Sequence, residues 1–300
     1  MHSEDPVAMS DQPAVSAIPA VSAFAALGLD ERLLRAVEVA GYTEPTAVQL
    51  AAIPAALAGE DLMVSSATGS GKTAAFVLPT LHRLLQSNAR STAGRGPRAL
   101  FLSPTRELSL QITRACETYS KTVRGLRFAS VVGGVPYGAQ IRAVRGALDV
   151  LVATPGRLLD LLQGGQLHLA SVEVLVLDEA DRMLDMGFIE DIEAIAAATP
   201  QARQTLLFSA TLDGKVGQLA SGLMREPRRM QVATATASKG NIAERLHWAD
   251  GRAHKDKLLD RLLSDPTIDQ AVVFTSTQHD AERLAESLQA DGHAVSALHG

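Results

Sequence analysis

Residues 65–73 read Ser65, Ser66, Ala67, Thr68, Gly69, Ser70, Gly71, Lys72, Thr73, between an apolar run from Leu62 to Val64 and a segment of helical spacing from Ala74 to Leu85. Strand, glycine loop, Lys-Thr and helix in that order are what a phosphate-binding loop requires. Gly69 and Gly71 let main-chain N–H groups converge on phosphate oxygens, and the helix N-terminus adds its dipole. Lys72 then reaches the β- and γ-phosphates, and the Thr73 hydroxyl is placed to hold Mg2+. The chemistry read from the loop is binding of a nucleoside triphosphate with Mg2+. Its one departure from G-x-x-x-x-G-K-[ST] is Ser66, where that pattern has glycine.

A second constellation follows a buried-looking run, Val172 to Leu177, which ends in Asp178, Glu179, Ala180 and Asp181. Acids at the C-terminal end of an apolar strand stand where the metal of a bound nucleotide sits. Asp178 is the natural Mg2+ partner, and Glu179 the group to orient or deprotonate an attacking water. An acidic helix N-terminus favoured by the dipole is the alternative reading of the acids alone.

Both constellations need a rigid sheet beneath them. Short apolar runs recur at 62–64, 99–102, 128–132, 150–152, 172–177 and 205–208, with helical spacing at 74–85, 107–119, 138–145, 158–162 and 189–198. Strands apolar on both faces, alternating with helices, predict an α/β fold: a parallel sheet covered by helices on both sides. Ligands in such folds bind at the C-terminal ends of the strands. Residues 1–22 read as a flexible tail without periodicity, residues 23–235 as the nucleotide-binding domain, and residues 236–244 as a linker. Residues 245–300 read as the start of a second, incomplete domain, with extended runs at 271–275 and 294–298. The Arg-, Ser- and Gly-rich stretch from Ser87 to Pro97 reads as a surface loop.

Composition narrows the class. The 300 residues are 46% hydrophobic and 20% charged, enough apolar content for a sizeable core, which excludes a wholly disordered chain or a small disulfide scaffold. One cysteine, Cys116, leaves nothing to pair with in the chain and fits the cytoplasm; within a helical pattern it reads as a buried small hydrophobe. The eight histidines form no close cluster with metal-ligand spacing, and there is no apolar run long enough to suggest a membrane span. Trp248, the only tryptophan, reads as core of the second domain. The net charge of −5 hides an uneven distribution: residues 114–145 hold six bases against Glu117 alone. That window suits a polyanion, with solvated helix faces as the alternative.

Further motifs make the pattern specific. Asp-Glu-Ala-Asp at 178–181 and the phosphate loop stand in order with Pro104-Thr105-Arg106-Glu107-Leu108, Gly133-Gly134, Thr154-Pro155-Gly156-Arg157 and Ser209-Ala210-Thr211. Over residues 24–300 this resembles the DEAD-box family of RNA helicases in superfamily 2. The stretch from Gly41 to Gln49 resembles the family's adenine motif, and Phe24 its isolated upstream aromatic.

The resemblance implies a RecA-like first domain followed by an incomplete second RecA-like domain. It also implies ATP as the nucleotide and RNA as the partner. It gives Gln49 the adenine edge, since a carboxamide offers one donor and one acceptor, with Tyr42 and Thr46 shaping the pocket. It gives Pro104, Thr105, Arg106, Glu107, Gly134, Thr154, Pro155, Gly156 and Arg157 to the RNA backbone, and Ser209 and Thr211 the coupling of hydrolysis to strand separation through bonds to the acids. Ser66, Ser109 and Ala47-Val48 are small departures from the family pattern. The family's R-G-x-D and H-R-x-G-R-x-G-R motifs do not occur up to Gly300. The expectation is therefore an ATP-dependent RNA helicase that unwinds or remodels short duplexes, whose 300 residues alone bind nucleotide but lack full activity. An ATP-gated RNA clamp and a DNA-directed translocase of the same superfamily are the alternatives.

Overall fold

The computed structural model describes residues 23–67, 69–87, 96–232 and 243–299. The chain divides into a first unit ending at Ala237 and a second beginning at Ser238. The expected tail, most of the 87–97 loop and residues 236–242 of the expected linker lie outside the described residues.

The first unit opens with a turn of 3-10 helix, Ala23–Leu27, then α1 (Glu31–Val39) and α2 (Ala47–Leu57). Strands and helices alternate from there: β1 (Leu62–Ser65), α3 (Lys72–Gln86), β2 (Ala99–Leu102), α4 (Arg106–Tyr119), β3 (Phe128–Val131), α5 (Tyr137–Arg145), β4 (Val150–Ala153) and α6 (Pro155–Gln163). After β5 (Val174–Asp178) come two helices, α7 (Ala180–Asp185) and α8 (Ile189–Ala197), then β6 (Gln204–Ser209), α9 (Lys215–Leu223) and β7 (Arg228–Gln231). The seven strands form one sheet in the order β3-β4-β2-β5-β6-β1-β7, every neighbouring pair parallel.

Side chains alternate along a strand, so each central strand feeds two cores. Leu62, Val64, Phe101, Val174, Val176, Leu206 and Phe208 face one layer, with buried residues of α1, α2, α3 and α4. Met63, Leu100, Leu102, Leu175, Leu177 and Leu207 face the other, with α6, α7, α8 and α9. On the first face Phe76 of α3 packs between Phe101 and Phe208, with ring centroids 5.4 and 5.3 Å away. Fully burying one such side chain stabilises by about 1.5–3 kcal/mol, so this cluster anchors the helix that follows the phosphate loop.

The strand entrances are fixed by a buried acid. Asp61, just before β1, accepts the main-chain N–H groups of Thr205 at 2.8 Å and Arg225 at 2.9 Å on its carboxylate, and that of Arg228 at 2.8 Å on its carbonyl. Three neighbouring strands are thereby registered at one end, which fixes where their other ends, the functional ones, emerge. Glycine-poor β7 is an edge strand with Arg228 and Arg229 exposed, charges that discourage further strand pairing.

The second unit holds α10 (Arg252–Leu263) and α11 (Gln278–Ala290). The strands expected at 271–275 and 294–298 are not formed: among the described residues of this unit no strand pairs with another. Val272, Phe274 and Leu298 are 80%, 92% and 96% exposed, so these runs have no ladder and no apolar layer to hold them. Trp248, expected in a core, is 83% exposed for the same reason: only Ala285 and Leu288 are buried among the described residues of this unit.

Candidate functional site: the C-terminal edge of the sheet

Apart from Phe24 and the Gly41–Gln49 stretch, which precede β1, the motifs singled out in the first unit lie at the C-terminal ends of strands, and the strand order sorts them into two groups. The phosphate loop follows β1, Ser209 closes β6 and Asp178 closes β5, three adjacent strands. Pro104 follows β2, Thr154 follows β4 and the Gly133-Gly134 pair follows β3, the three strands on the far side of β5, while β7 carries none of the motifs.

In the half expected to bind nucleotide, Gly69 and Gly71 adopt φ of +75° and +93°, which other residues rarely reach. The Gln49 carboxamide accepts the Thr46 N–H at 3.0 Å and donates to the Gly71 carbonyl at 3.1 Å. A Cβ at Gly71 would lie 2.6 Å from Gln49 Nε2 and 2.9 Å from Thr46 Oγ1. The glycine is thus fixed twice over, by backbone conformation and by the close approach of the expected adenine-reading residues. The Ser66 and Ser70 hydroxyls are 3.0 Å apart, so the serine in the glycine position of the common pattern ties the loop across itself. Tyr42, expected to shape the pocket, is half exposed with its ring 6.1 Å from that of Tyr119 at the end of α4. Thr68 lies outside the described residues.

Lys72 and Asp178 are both buried. Burial pushes the Asp178 carboxyl up to about 6, against the Lys72 charge, which favours the ionised form. Its Oδ1 accepts the Glu179 N–H at 3.1 Å. Glu179 sits at φ +53°, a left-handed conformation that is strained for a residue with a side chain. It turns the chain sharply from β5 into α7, and its carboxylate lies 3.7 Å from the Arg182 guanidinium.

The fully buried Ser209 hydroxyl accepts the N–H groups of Asp181 and Thr211, each at 3.3 Å, and Asp181 Oδ2 accepts the Ala210 N–H at 3.1 Å. Ser209 and Asp181 therefore couple β6 to α7 directly. Thr211 joins through its main chain, its side chain exposed. For Mg2+ the residues present offer the Asp178 carboxylate and the Thr73 hydroxyl, hard oxygen donors that suit that ion with water and phosphate completing its shell. Among the described residues no three His, Cys, Asp or Glu groups gather into a protein-only metal cage.

In the other half the contacts run from cations to main-chain carbonyls. Arg106 Nη1 lies 3.5 Å from the Gly134 carbonyl, and Gly134 has φ +72°. Arg157 Nη1 donates to the Val135 carbonyl at 3.0 Å, its Nε lies 3.8 Å from Asp160, and its guanidinium sits 5.7 Å from the centre of the Tyr137 ring. Thr105 caps α4, its hydroxyl accepting the Leu108 N–H at 3.3 Å. The Thr154 N–H donates to Val131 at 3.0 Å, and Pro155 opens α6, placing its free N–H groups beside Gly156. Pro104 is buried, whereas Arg106 and Glu107 are exposed. The structure thus gathers the loops after β2, β3 and β4 into one surface that carries the exposed Arg106, the partly covered Arg157, glycines and helix N-termini.

Two residues that sequence reading passes over hold this surface together. Gln140, buried in α5, accepts the Val132 N–H at 2.9 Å and donates to the carbonyls of Val132 at 3.1 Å and Val135 at 3.0 Å. Tyr137 carries Arg157 on its ring and donates to the Asp160 carbonyl at 3.3 Å. The only signal for Gln140 in the sequence is a lone amide on the apolar side of a short helix. Cys116 is buried and its thiol pushed up by burial, a packing residue. Among the described residues no helix is long and apolar enough to cross a membrane.

Residues 46–220 match the sequence model of the DEAD/DEAH box helicase family. The chain is 39% identical over 277 residues to the ATP-dependent RNA helicase DeaD of Escherichia coli K12, covering 92% of this chain and 43% of that protein. It is 42% identical over 270 residues to the ATP-dependent RNA helicase SrmB of the same organism, covering 90% of this chain and 60% of that one. The chain therefore spans less than two thirds of these relatives. Among solved structures, a DEAD box protein from the hyperthermophile Methanococcus jannaschii matches with TM-score 0.64 and 33% identity, over 92% of this chain and 72% of that one. With its seven-stranded parallel sheet and its loops so placed, the chain belongs to the DEAD/DEAH box helicase family.

Proposed function

We propose that this chain carries the ATP site and an RNA-gripping surface of an ATP-dependent RNA helicase that separates or remodels short duplexes. The observation that carries this reading is the strand order. It sets β5, with Asp178 and Glu179, directly between β6 and β2, so that the acidic pair borders the phosphate loop's half on one side and the Thr105-Arg106 loop on the other.

In this reading Gln49 reads the adenine edge, Lys72 and the glycine loop bind the β- and γ-phosphates, and Glu179 takes the proton of the water that attacks the γ-phosphate. Mg2+ held by Thr73 and Asp178 supplies charge neutralisation on the phosphates. Asp181 and Ser209 link the acidic turn to β6, so a change at the γ-phosphate is felt at the end of the neighbouring strand. Arg106, Arg157, Gly134 and the α4 and α6 N-termini hold RNA by phosphate and sugar, contacts that carry no base sequence. The cytoplasm, where RNA and ATP meet, is the proposed location.

The test is displacement of one strand of a short labelled RNA duplex by the longest available form of the protein. ATP-dependent displacement abolished by Glu179→Gln supports the reading. Stable ATP-dependent retention on RNA without displacement identifies a clamp instead, and preference for DNA over RNA contradicts both.

A further inference from the structure

From Thr118 to Leu148 the chain has five bases, Lys121, Arg124, Arg127, Arg142 and Arg145, and no acid, in a protein whose net charge is negative. All five are exposed. None makes an ion pair among the described residues, unlike Arg32, Arg98, Arg157, Arg182 and Arg228 of the same unit. Unpaired cations set side by side repel one another, a cost that a polyanion removes.

Their placement is ordered. Arg142 and Arg145 are one turn apart on α5 and share a face with Gly138. Arg142 reaches back along the helix, its Nη1 lying 3.8 Å from where a Gly138 Cβ would stand, toward the Gly134 loop. Arg145, at the end of α5, is held by Gln166 Oε1 at 2.8 Å. The chain leaving α5 then meets Arg127. The Arg127 N–H donates to Asp149 Oδ2 and its carbonyl accepts the Asp149 N–H, both at 3.0 Å. The buried Asp149 carboxylate lies 3.8 Å from the buried Arg98 guanidinium, which balances its charge, although it also attracts Arg127. Since β3 is an edge strand, Gly134, Arg142, Arg145 and Arg127 descend one margin of the sheet, from the C-terminal end of β3 to its start.

We propose that this margin is a second RNA surface, which takes the phosphate backbone of RNA running on beyond the nucleotides gripped at the strand ends. The inference rests on the RNA reading given above, and continuity with the Gly134 loop is what favours RNA over an acidic protein. The margin gives length-dependent affinity without base specificity.

The test compares the parent with the Arg127→Gln, Arg142→Gln, Arg145→Gln triple variant in fluorescence anisotropy titrations. The probes are labelled single-stranded RNAs of about 8 and about 25 nucleotides, spanning the scale of one nucleic-acid site and several. The triple variant should lose about tenfold in affinity for the long RNA at low salt, with less than a twofold change for the short one. The salt dependence of long-RNA binding should flatten by about 2 in log–log slope, three contacts at roughly 0.7 each for single strands. Equal losses on both lengths, or none on the long RNA, overturn the proposal, and so does competition by polyglutamate as effective as that of unlabelled long RNA at matched charge. Failure of the parent to bind even the short RNA sinks the underlying RNA reading instead, so the two failures are distinct.

Discussion

The two halves of the sheet's C-terminal edge are built on different principles. Around β1, β6 and β5 the polar groups are buried and bonded to one another: Gln49 to Gly71, Ser209 to Asp181, Lys72 beside Asp178. Around β2, β4 and β3 the cations are less enclosed, Arg106 exposed and Arg157 partly covered, and both bond to carbonyls of a glycine loop. A nucleotide is a small ligand whose phosphates and base must be met at fixed points, and on the proposed reading its half is accordingly interlocked. RNA is a long polyanion recognised through its backbone, and on the proposed reading its half accordingly offers charge that is less enclosed. The boundary falls between β5 and β2, paired neighbours that carry the acidic turn and the Thr105-Arg106 loop.

The largest expected effect separates binding from chemistry within the interlocked half. Glu179→Gln keeps the phosphate contacts and removes the base, so turnover should fall by about 10² to 10⁴ with nucleotide affinity within a few fold. Steady-state ATPase assays and equilibrium titration check this in the longest available form of the protein. Parent-level turnover removes Glu179 from the mechanism.

Gly71→Ala should come next, since it forces a side chain into left-handed backbone and against Gln49 Nε2 and Thr46 Oγ1. The strain is of order 1–3 kcal/mol, and at least tenfold weaker ATP binding is expected with RNA binding unaltered in the absence of nucleotide. Loss of both together would show that the halves are not separable.

Asp178 gives a pH signature that the exposed half lacks. Its carboxyl is raised from 3.8 to about 6, so ionisation disfavours the folded state, a cost fully present above about pH 6 and gone below about pH 4. The difference corresponds to about 3 kcal/mol for this buried group. Without nucleotide or Mg2+, Asp178→Asn should melt higher than the parent at pH 7.5, and the gap should close as pH falls through 6. Thermal melts at four or five pH values measure it; a gap independent of pH contradicts the assignment.

The smallest effect concerns Gln49→Ala. It leaves the phosphate contacts in place and should reduce discrimination of ATP over GTP, with some loss of affinity; competition of unlabelled GTP against labelled ATP reads it. Unchanged preference removes Gln49 from adenine reading.

What the sequence made legible was local in the chain. The phosphate loop is nine consecutive residues, and the acidic turn follows its strand directly, so residue order alone placed Lys72 and Asp178 at strand ends. The alternation of apolar runs with helical spacing likewise showed the α/β class and six of the seven strands to within about two residues, and the polar stretch that begins near Arg225 reads more loosely as the domain's last strand and the linker after it, where β7 stands. The bond from Gln49 to Gly71 spans 22 positions, and Gln140 serves a loop through three main-chain bonds; neither follows from a spacing rule. The sorting of motifs into two halves depends on strand order, which crossovers decide and periodicity does not show. In the second unit, Val272 and Phe274 have strand-forming side chains but no neighbouring strand, and propensity without a partner makes no ladder. Trp248 misled in the same way, since hydrophobic character buries a residue only where there is a core to enter.

The separation of the two halves is tested most directly by the ATP affinity of the Arg106→Ala, Arg157→Ala double variant, titrated with a fluorescent ATP analogue in the absence of RNA. Among the described residues both side chains bond to the loop that follows β3 and to α6, with Arg157 also against the Tyr137 ring of α5, so nucleotide affinity should stay within about twofold of the parent while RNA binding falls tenfold or more. A parallel fall in nucleotide affinity would contradict the division of the sheet's edge into a nucleotide half and an RNA half.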